Sequence, residues 1–396
     1  MTRLALLFAT AALVAACTDP SPAAVIDDGG AGGKAEEWGS GDDPDGFGSG
    51  MVYDADQLPR TGAAAQTPWA GHYWPTAEDS INNRWNGAST DSPAAKYGSA
   101  FGVTGVEDAV SATFGIDGRD GAACTDDSAC DVDAGEMCAI RRGATRGKCL
   151  ATWEGICHAW APAAIMLAEP KHAVTYNGVT FKVQDVKALV SLLFDDTSSK
   201  SVSLRCEDDE TTIPVDANGR PTARACKDTN AGTWHLIATN YLGLKQKAFV
   251  YDRTWDDEVW NQPVRSYSIT RYEPITAAAA NKLITGATTG SSTYAYNRDA
   301  ASLVRVHMDL KYISESPASK DGNLASTISR YTRTDKLDYV LELDAAGKVI
   351  GGEWFGASKT DHPDFLWLPT KRNGASVAKG KITWTNVKKI YALSIE

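Results

Sequence analysis

The stretch WEGICHAWAP, residues 153–162, decides the fold, because it sets a single cysteine against the start of a helix. Pro162 has no N–H and its ring clashes with the carbonyl four residues back, so it suits only a first helical turn. A helix running through Ala163, Ala164, Ile165, Met166 and Leu167 is therefore predicted to begin at about residues 158–161. Cys157 then lies at its N-terminal mouth. Unpaired N–H groups and the positive end of the helix dipole favour a thiolate there. A thiolate so placed is a nucleophile in need of a base. The competing reading is a buried or disulfide-bonded cysteine.

Working outward, the N-terminus bears on that choice. Arg3 precedes an apolar run, Leu4 to Ala16, and small residues lead into Cys17. This is the layout of a secretory signal peptide, too short for a membrane span. The residues before Cys17 resemble the bacterial lipobox, in which the cysteine is lipidated and becomes the new N-terminus. Residues 1–17 are thus expected to be a lipoprotein signal. The mature chain is expected to be exported from a bacterial cell and held by that lipid alone, at the outer membrane or cell surface. Residues 18–51, rich in Gly, Asp, Ala and Pro, read as a flexible stalk.

Export makes the cysteine count informative. The eight cysteines are Cys17, Cys124, Cys130, Cys138, Cys149, Cys157, Cys206 and Cys226. With Cys17 given to lipid the remainder is odd, which leaves one free thiol in an oxidising compartment. Cys124, Cys130, Cys138 and Cys149 read as two local bridges of open connectivity. Cys206 and Cys226 bracket a polar loop and read as a third. Cys157 is then the expected free thiol. The net charge of −11 argues against nucleic-acid binding. No CxxC or HExxH spacing points to zinc. Asp126, Asp127, Asp131 and Asp133 are expected to form a solvated acidic loop rather than a calcium site.

Residues 52–396 are expected to form one catalytic domain, interrupted by a cysteine-rich insert at about 117–150. Helices are predicted near 79, 92–101 and 184–194, the last with an apolar stripe of Val186, Leu189, Val190 and Leu193, and a short element near 105–115. Strands are predicted at 178–183, 233–241, 245–253, 264–271, 303–313, 338–344, 348–355 and 382–392. A helix followed by a sheet suggests an α+β domain.

The base is sought among His72, His158, His172, His235, His307 and His362. His158 adjoins Cys157, and neighbours on a helix point apart. A hairpin turning at Gly243-Leu244 would set His235 opposite Asp252 and Ile237 opposite Val250. Aspartate beside one imidazole nitrogen fixes the tautomer and leaves the other nitrogen for the thiolate. A one-residue slip would part the pair. His362 is the competing base.

Five stretches resemble the transglutaminase elicitor family of oomycete plant pathogens and its bacterial relatives: PWAGHYWPTAEDSINNRW (68–85), WEGICHAWAPAA (153–164), CKDTNAGTWH (226–235), VWNQPVR (259–265) and GGEWFGASKTDHPDFLWLP (351–369). The fourth matches the start of that family's defence-eliciting peptide, and SYSITRYE departs from it afterwards. The insert at 117–150 has no counterpart in the resemblance. The resemblance implies a papain-like or transglutaminase-like cysteine-nucleophile fold and calcium dependence. Its catalytic cysteine falls on Cys157, and its Cys, His, Asp order supports His235 and Asp252.

The implied chemistry is acyl transfer from protein glutamine to protein lysine through a Cys157 thioester. The oxyanion donors are expected to be the Cys157 N–H and the Trp153 indole. Trp160, Trp234, Trp255 and Trp260 are candidate substrate walls, each with a core role as its alternative. Rival readings are a papain-like protease or glutamine deamidase using the same residues, and a non-catalytic surface recognition module.

Overall fold

The computed structural model describes residues 39, 41–205, 213–217, 220–223, 226–253, 258–318 and 328–396. The signal segment, Cys17, Cys206 and Trp255 lie outside the described residues. The helices are α1 (Pro44–Phe47), α2 (Pro93–Phe101), α3 (Val106–Phe114), α4 (Cys157–Met166), α5 (Val183–Leu192), α6 (Ala231–Ala238), α7 (Ala277–Thr285) and α8 (Trp384–Ile395). The strands are β1 (Thr61–Ala63), β2 (Ala123–Cys124), β3 (Glu136–Ala139), β4 (Gly147–Ala151), β5 (Val174–Tyr176), β6 (Val179–Phe181), β7 (Thr197–Val202), β8 (Val250–Asp252), β9 (Asn261–Ile275), β10 (Ser302–Ile313), β11 (Thr332–Leu343), β12 (Val349–Trp354) and β13 (Leu366–Arg372).

The main sheet runs in the order β12-β11-β10-β9-β8-β13-β7, with β1 added to β9. Each of these pairings is antiparallel. Successive strand residues point to opposite faces, and β8 shows which helix lies on which face. Val250 packs with the cluster that holds Cys157, Trp160 and Leu189, from α4 and α5. Its neighbour Tyr251 packs with Trp234, Leu236 and Ile237 of α6. Trp367 and Leu366 of β13 divide the same way. The sheet therefore separates an α4 layer from an α6 layer, and the mixed α and β arrangement with an antiparallel sheet agrees with the sequence reading.

Two predicted strands are helices. Residues 233–241 lie in α6 and the wider helical turn that continues through Thr239–Leu244. All eight residues of α6 are buried, so the segment is apolar all round, and a short run of that kind has no period to read. The cap was legible: Asn230 accepts the Gly232 N–H at 2.8 Å. At 382–392 the chain forms α8, capped by Thr383, whose hydroxyl accepts the Asn386 N–H. Its buried Val387, Ile390, Tyr391 and Ser394 follow helical spacing, and the β-branched start masked that signal. The region near residue 79 holds two short turns, Thr76–Glu78 and Ser80–Asn82, parted by Asp79 at φ 63°. A left-handed residue between them stops either turn from extending.

The folded domain starts earlier than residue 52. Phe47 of α1 is fully buried, edge-on to Tyr241 and Phe249. Asp42 is buried too, accepting from the Ser203 hydroxyl and the Asn230 N–H, both at 2.8 Å. Burial pushes its carboxyl well above the usual range despite these donors. Residues 41–51 are thus a strap on the α6 face rather than stalk. The cysteine-rich insert is a small sheet in the order β2-β4-β3, closed by Cys124–Cys138 and Cys130–Cys149.

Candidate active site

Helix α4 begins at Cys157, one residue earlier than expected, so Pro162 is its sixth residue. The helix accepts this because most of it is enclosed: Cys157, Ala159, Trp160, Ala161, Ala163 and Ala164 are all fully buried. Packing outweighs the one backbone hydrogen bond that Pro162 removes. No side chain caps α4. The preceding turn is fixed by the loop 68–75, where the Tyr73 carbonyl accepts the Ile156 N–H at 2.6 Å. Gly155 permits that approach, since a Cβ there would lie 2.5 Å from the same oxygen.

Cys157 is not a free thiol. The bridges between described residues are the two of the insert, and Cys157 and Cys226 are each disulfide-bonded as well. Among the described residues no cysteine is free. The parity argument fails because it required Cys157 to be the unpaired member. The expected Cys206–Cys226 pairing involves a residue outside those described.

Around the sulfur stand Asn261, whose Nδ2 donates to Sγ at 3.6 Å, and the Val259 carbonyl oxygen at 4.0 Å. Asn261 opens β9 and is the cross-strand partner of Asp252 in β8. Asp252 accepts the Trp260 N–H at 2.6 Å, which holds the segment 259–261 against the cysteine. Trp367 donates its indole N–H to Asn261 Oδ1 at 2.7 Å. Asp252, expected to orient His235, here holds the backbone of Trp260 beside the cysteine.

The structure does not bring His235 to either Cys157 or Asp252. His235 is in α6, on the other face of the sheet, and its Nδ1 meets the Tyr339 hydroxyl at 2.8 Å. Burial, helped by Arg60, pushes its pKa down to about 3. The hairpin that would have paired His235 with Asp252 does not form, because residue 235 is helical. His362 is also fully buried: Nδ1 donates to the Ser358 carbonyl at 2.8 Å, and Nε2 lies 3.2 Å from Asp228 Oδ2. His158 points to Asp195 at 2.7 Å.

The imidazole whose segment touches the Cys157 turn is that of His72, one residue before Tyr73. Its Nδ1 faces the Ser316 carbonyl oxygen at 3.1 Å. A carbonyl only accepts, so Nδ1 carries the proton and Nε2 is left as a base. Burial pushes its pKa down to about 4, so the ring is neutral at pH 7. Nothing in sequence spacing marked His72 as a partner for Cys157. Asn261 lay within VWNQPVR, and its role needed the sheet register to be seen.

The expected tryptophans are distributed otherwise. Trp153 lines a cleft with Gly118, Arg119, Asp120, Glu154 and Arg205. Trp160 is fully buried and donates to the Trp69 carbonyl at 3.3 Å. Trp234 is fully buried in the α6 layer. Trp260 is half-buried and donates to Glu258 at 3.1 Å.

The resemblance implies calcium, for which the described residues offer these groups of three candidate ligands: Cys124, Cys130 and Cys138, and Cys130, Glu136 and Cys149. Their sulfurs are bridged, and calcium takes oxygen ligands. Asp126 and Asp127 instead accept local N–H groups, from Ser128 and Cys138.

The model of the transglutaminase elicitor family matches residues 44–396, nearly all of the chain that the structure describes. The chain belongs to that family. The crystal structure of the GP42 transglutaminase from Phytophthora sojae is similar to it, with a TM-score of 0.76 and 36% identity, covering 91% of this chain and 99% of that one. None of the curated proteins matches the chain. In transglutaminase elicitor terms, Cys157, His72 and Asn261 each lie in one of the stretches that carried the resemblance.

Proposed function

We propose that this domain is a protein-glutamine γ-glutamyltransferase that joins protein glutamine to lysine or other primary amines. What supports it is the position of Cys157, at the head of α4 and under the Asn261 amide, in a chain 36% identical to a solved transglutaminase. The Cys157 sulfur attacks the carboxamide carbon of glutamine. Neutral His72 takes the Cys157 thiol proton as the C–S bond forms; the C–N bond then breaks and ammonia leaves carrying that same proton, returned by His72. A lysine amine then attacks the thioester, giving up a proton to His72 as the isopeptide C–N bond forms and the thiolate departs. Asp252 positions the segment 259–261 over the sulfur.

A bridged sulfur is not a nucleophile, so the Cys157 disulfide must be opened by an external thiol before any turnover. The oxidised chain is accordingly expected to be inactive. The test is incorporation of a labelled primary amine into a glutamine-rich protein, before and after treatment with a dithiol. Incorporation is expected only after reduction and not with Cys157→Ala. Release of ammonia without amine incorporation would favour the deamidase reading instead. Substrate proteins bearing Gln and Lys are the proposed partners. Lipid at Cys17 is the proposed tether, tested by whether Cys17→Ala moves the protein out of the membrane fraction.

A further inference from the structure

We propose that Asn261 supplies the side-chain oxyanion donor of this site and that Trp367 is the positioning residue that sets its amide the right way round. The inference rests on Cys157 being the nucleophile, as argued above. A carboxamide has one accepting and one donating end, and the two look alike in outline. Here the ambiguity is resolved chemically. The indole of Trp367 is a donor only, and it lies 2.7 Å from one end of the Asn261 amide. That end must be the oxygen. The NH₂ group is then turned to Cys157 Sγ, 3.6 Å away.

The three side chains belong to different elements and are held rigidly. Asn261 is 2% exposed, Trp367 9% and Cys157 0%. Asn261 opens β9, Trp367 is on β13, and β8 lies between them, with Asp252 paired to Asn261 and Val250 paired to Trp367. Trp367 packs with the same cluster as Cys157, so its indole reaches Asn261 across β8 on the α4 face. A side chain fixed on a strand by a buried partner reorganises little during reaction, which is what electrostatic stabilisation of a transition state requires.

When the thiolate attacks a glutamine carboxamide, the carbonyl π electrons move onto oxygen. That oxygen is bound to the carbon that sulfur has just joined. A donor within reach of sulfur is therefore within reach of the new oxyanion after a small movement. In the reduced enzyme the same N–H group favours the thiolate over the thiol. One amide thus serves two successive anions, with the helix-start N–H groups of α4 as its complement. No ion or cofactor is needed for this step, and the charge returns to sulfur when the amine resolves the thioester.

Three variants of the full chain test this, Asn261→Ala, Asn261→Asp and Trp367→Phe, each reduced and compared with the parent. Asn261→Ala is expected to lower kcat about 10²-fold, with KM changed less than about threefold. Trp367→Phe, which leaves the amide free to flip, is expected to lower kcat about tenfold. The second readout does not depend on transferase activity: iodoacetamide alkylation of Cys157 against pH, followed by peptide mapping. Its onset is expected at higher pH in Asn261→Ala and higher still in Asn261→Asp, where a carboxylate faces the sulfur. Unchanged alkylation profiles in all three variants would overturn the proposal, as would an unchanged kcat in Asn261→Ala. Shifted profiles in a parent that transfers no amine would instead leave the Asn261 contact standing and remove the transferase reading.

Discussion

Helices α4 and α6 are alike in composition and opposite in role. Both are short, rich in apolar residues and largely buried, and each carries one residue expected to do chemistry. Yet Cys157 of α4 faces β8, β9 and β13, while His235 of α6 packs against Tyr339 on the far side of the sheet. The α4 layer gathers unlike polar groups around a sulfur: Asn261, Asp252 and the loop of His72. The α6 layer is a stability element in which Phe47, Trp234, Tyr251 and Trp354 share one cluster and Tyr272 and Tyr339 flank the His235 ring. Two segments with the same sequence character can thus become a site and a core, depending on the face of the sheet they cover.

The strongest test of that division is the loss of activity. Cys157→Ala is expected to lower amine incorporation by about 10⁴-fold or more while leaving the melting temperature near that of the parent. His72→Ala is expected to lower kcat by about 10²- to 10⁴-fold in folded protein. If His72→Ala keeps full activity while His235→Gln is folded and dead, the two layers have been assigned the wrong way round. Phe47→Ala, on the α6 side, is expected to cost about 3–5 kcal/mol of stability, read from urea midpoints, because it empties a fully enclosed aromatic site. Removal of residues 1–40 is expected to leave the fold intact, whereas removal through residue 51 takes Phe47 and Asp42 with it. A truncation at 51 with unchanged midpoint would return that strap to the stalk.

A smaller effect sharpens the comparison through pH. His235 is held down to about 3, against an ordinary value of 6.5. Between those values the unfolded chain binds a proton that the folded chain does not. Stability contributed by the neutral ring is therefore present above about pH 6.5 and lost as pH falls towards 3, by at most about 1.4 kcal/mol per pH unit. His235→Gln is expected to cost about 1–3 kcal/mol at pH 7 through the lost contact with Tyr339. That deficit is expected to shrink at pH 5, since the variant has no imidazole to charge. A deficit of the same size at both pH values would mean that the ring is not buried in its neutral form.

The pattern of success along the chain follows from what each signal needs. The helices at 92–101 and 184–194 and the strands around 264–271, 303–313, 338–344 and 348–355 were legible from their apolar patterning, whereas at 105–115 only a short element was expected. The segment 233–241 has no polar face, and its wrong reading as a strand carried His235 into a pairing that never forms. The strap at 41–51 was hidden by its composition: a run of Gly and Asp conceals the single Phe47 that anchors it.

By itself the sequence determined the nucleophile candidate, its place at the start of a helix, the two local bridges of the insert and membership of a family, since each is a property of contiguous residues. The tertiary structure decided the rest. Which way Cys124, Cys130, Cys138 and Cys149 pair depends on the small sheet that brings them together. That His235 lies across the sheet from Cys157, that Asn261 reaches the sulfur from 104 residues away and that Trp367 reaches Asn261 from 106 are facts of strand order and register. Spacing along a chain limits only near neighbours. Which distant side chains meet is fixed by the order in which strands pair and by the face each residue presents.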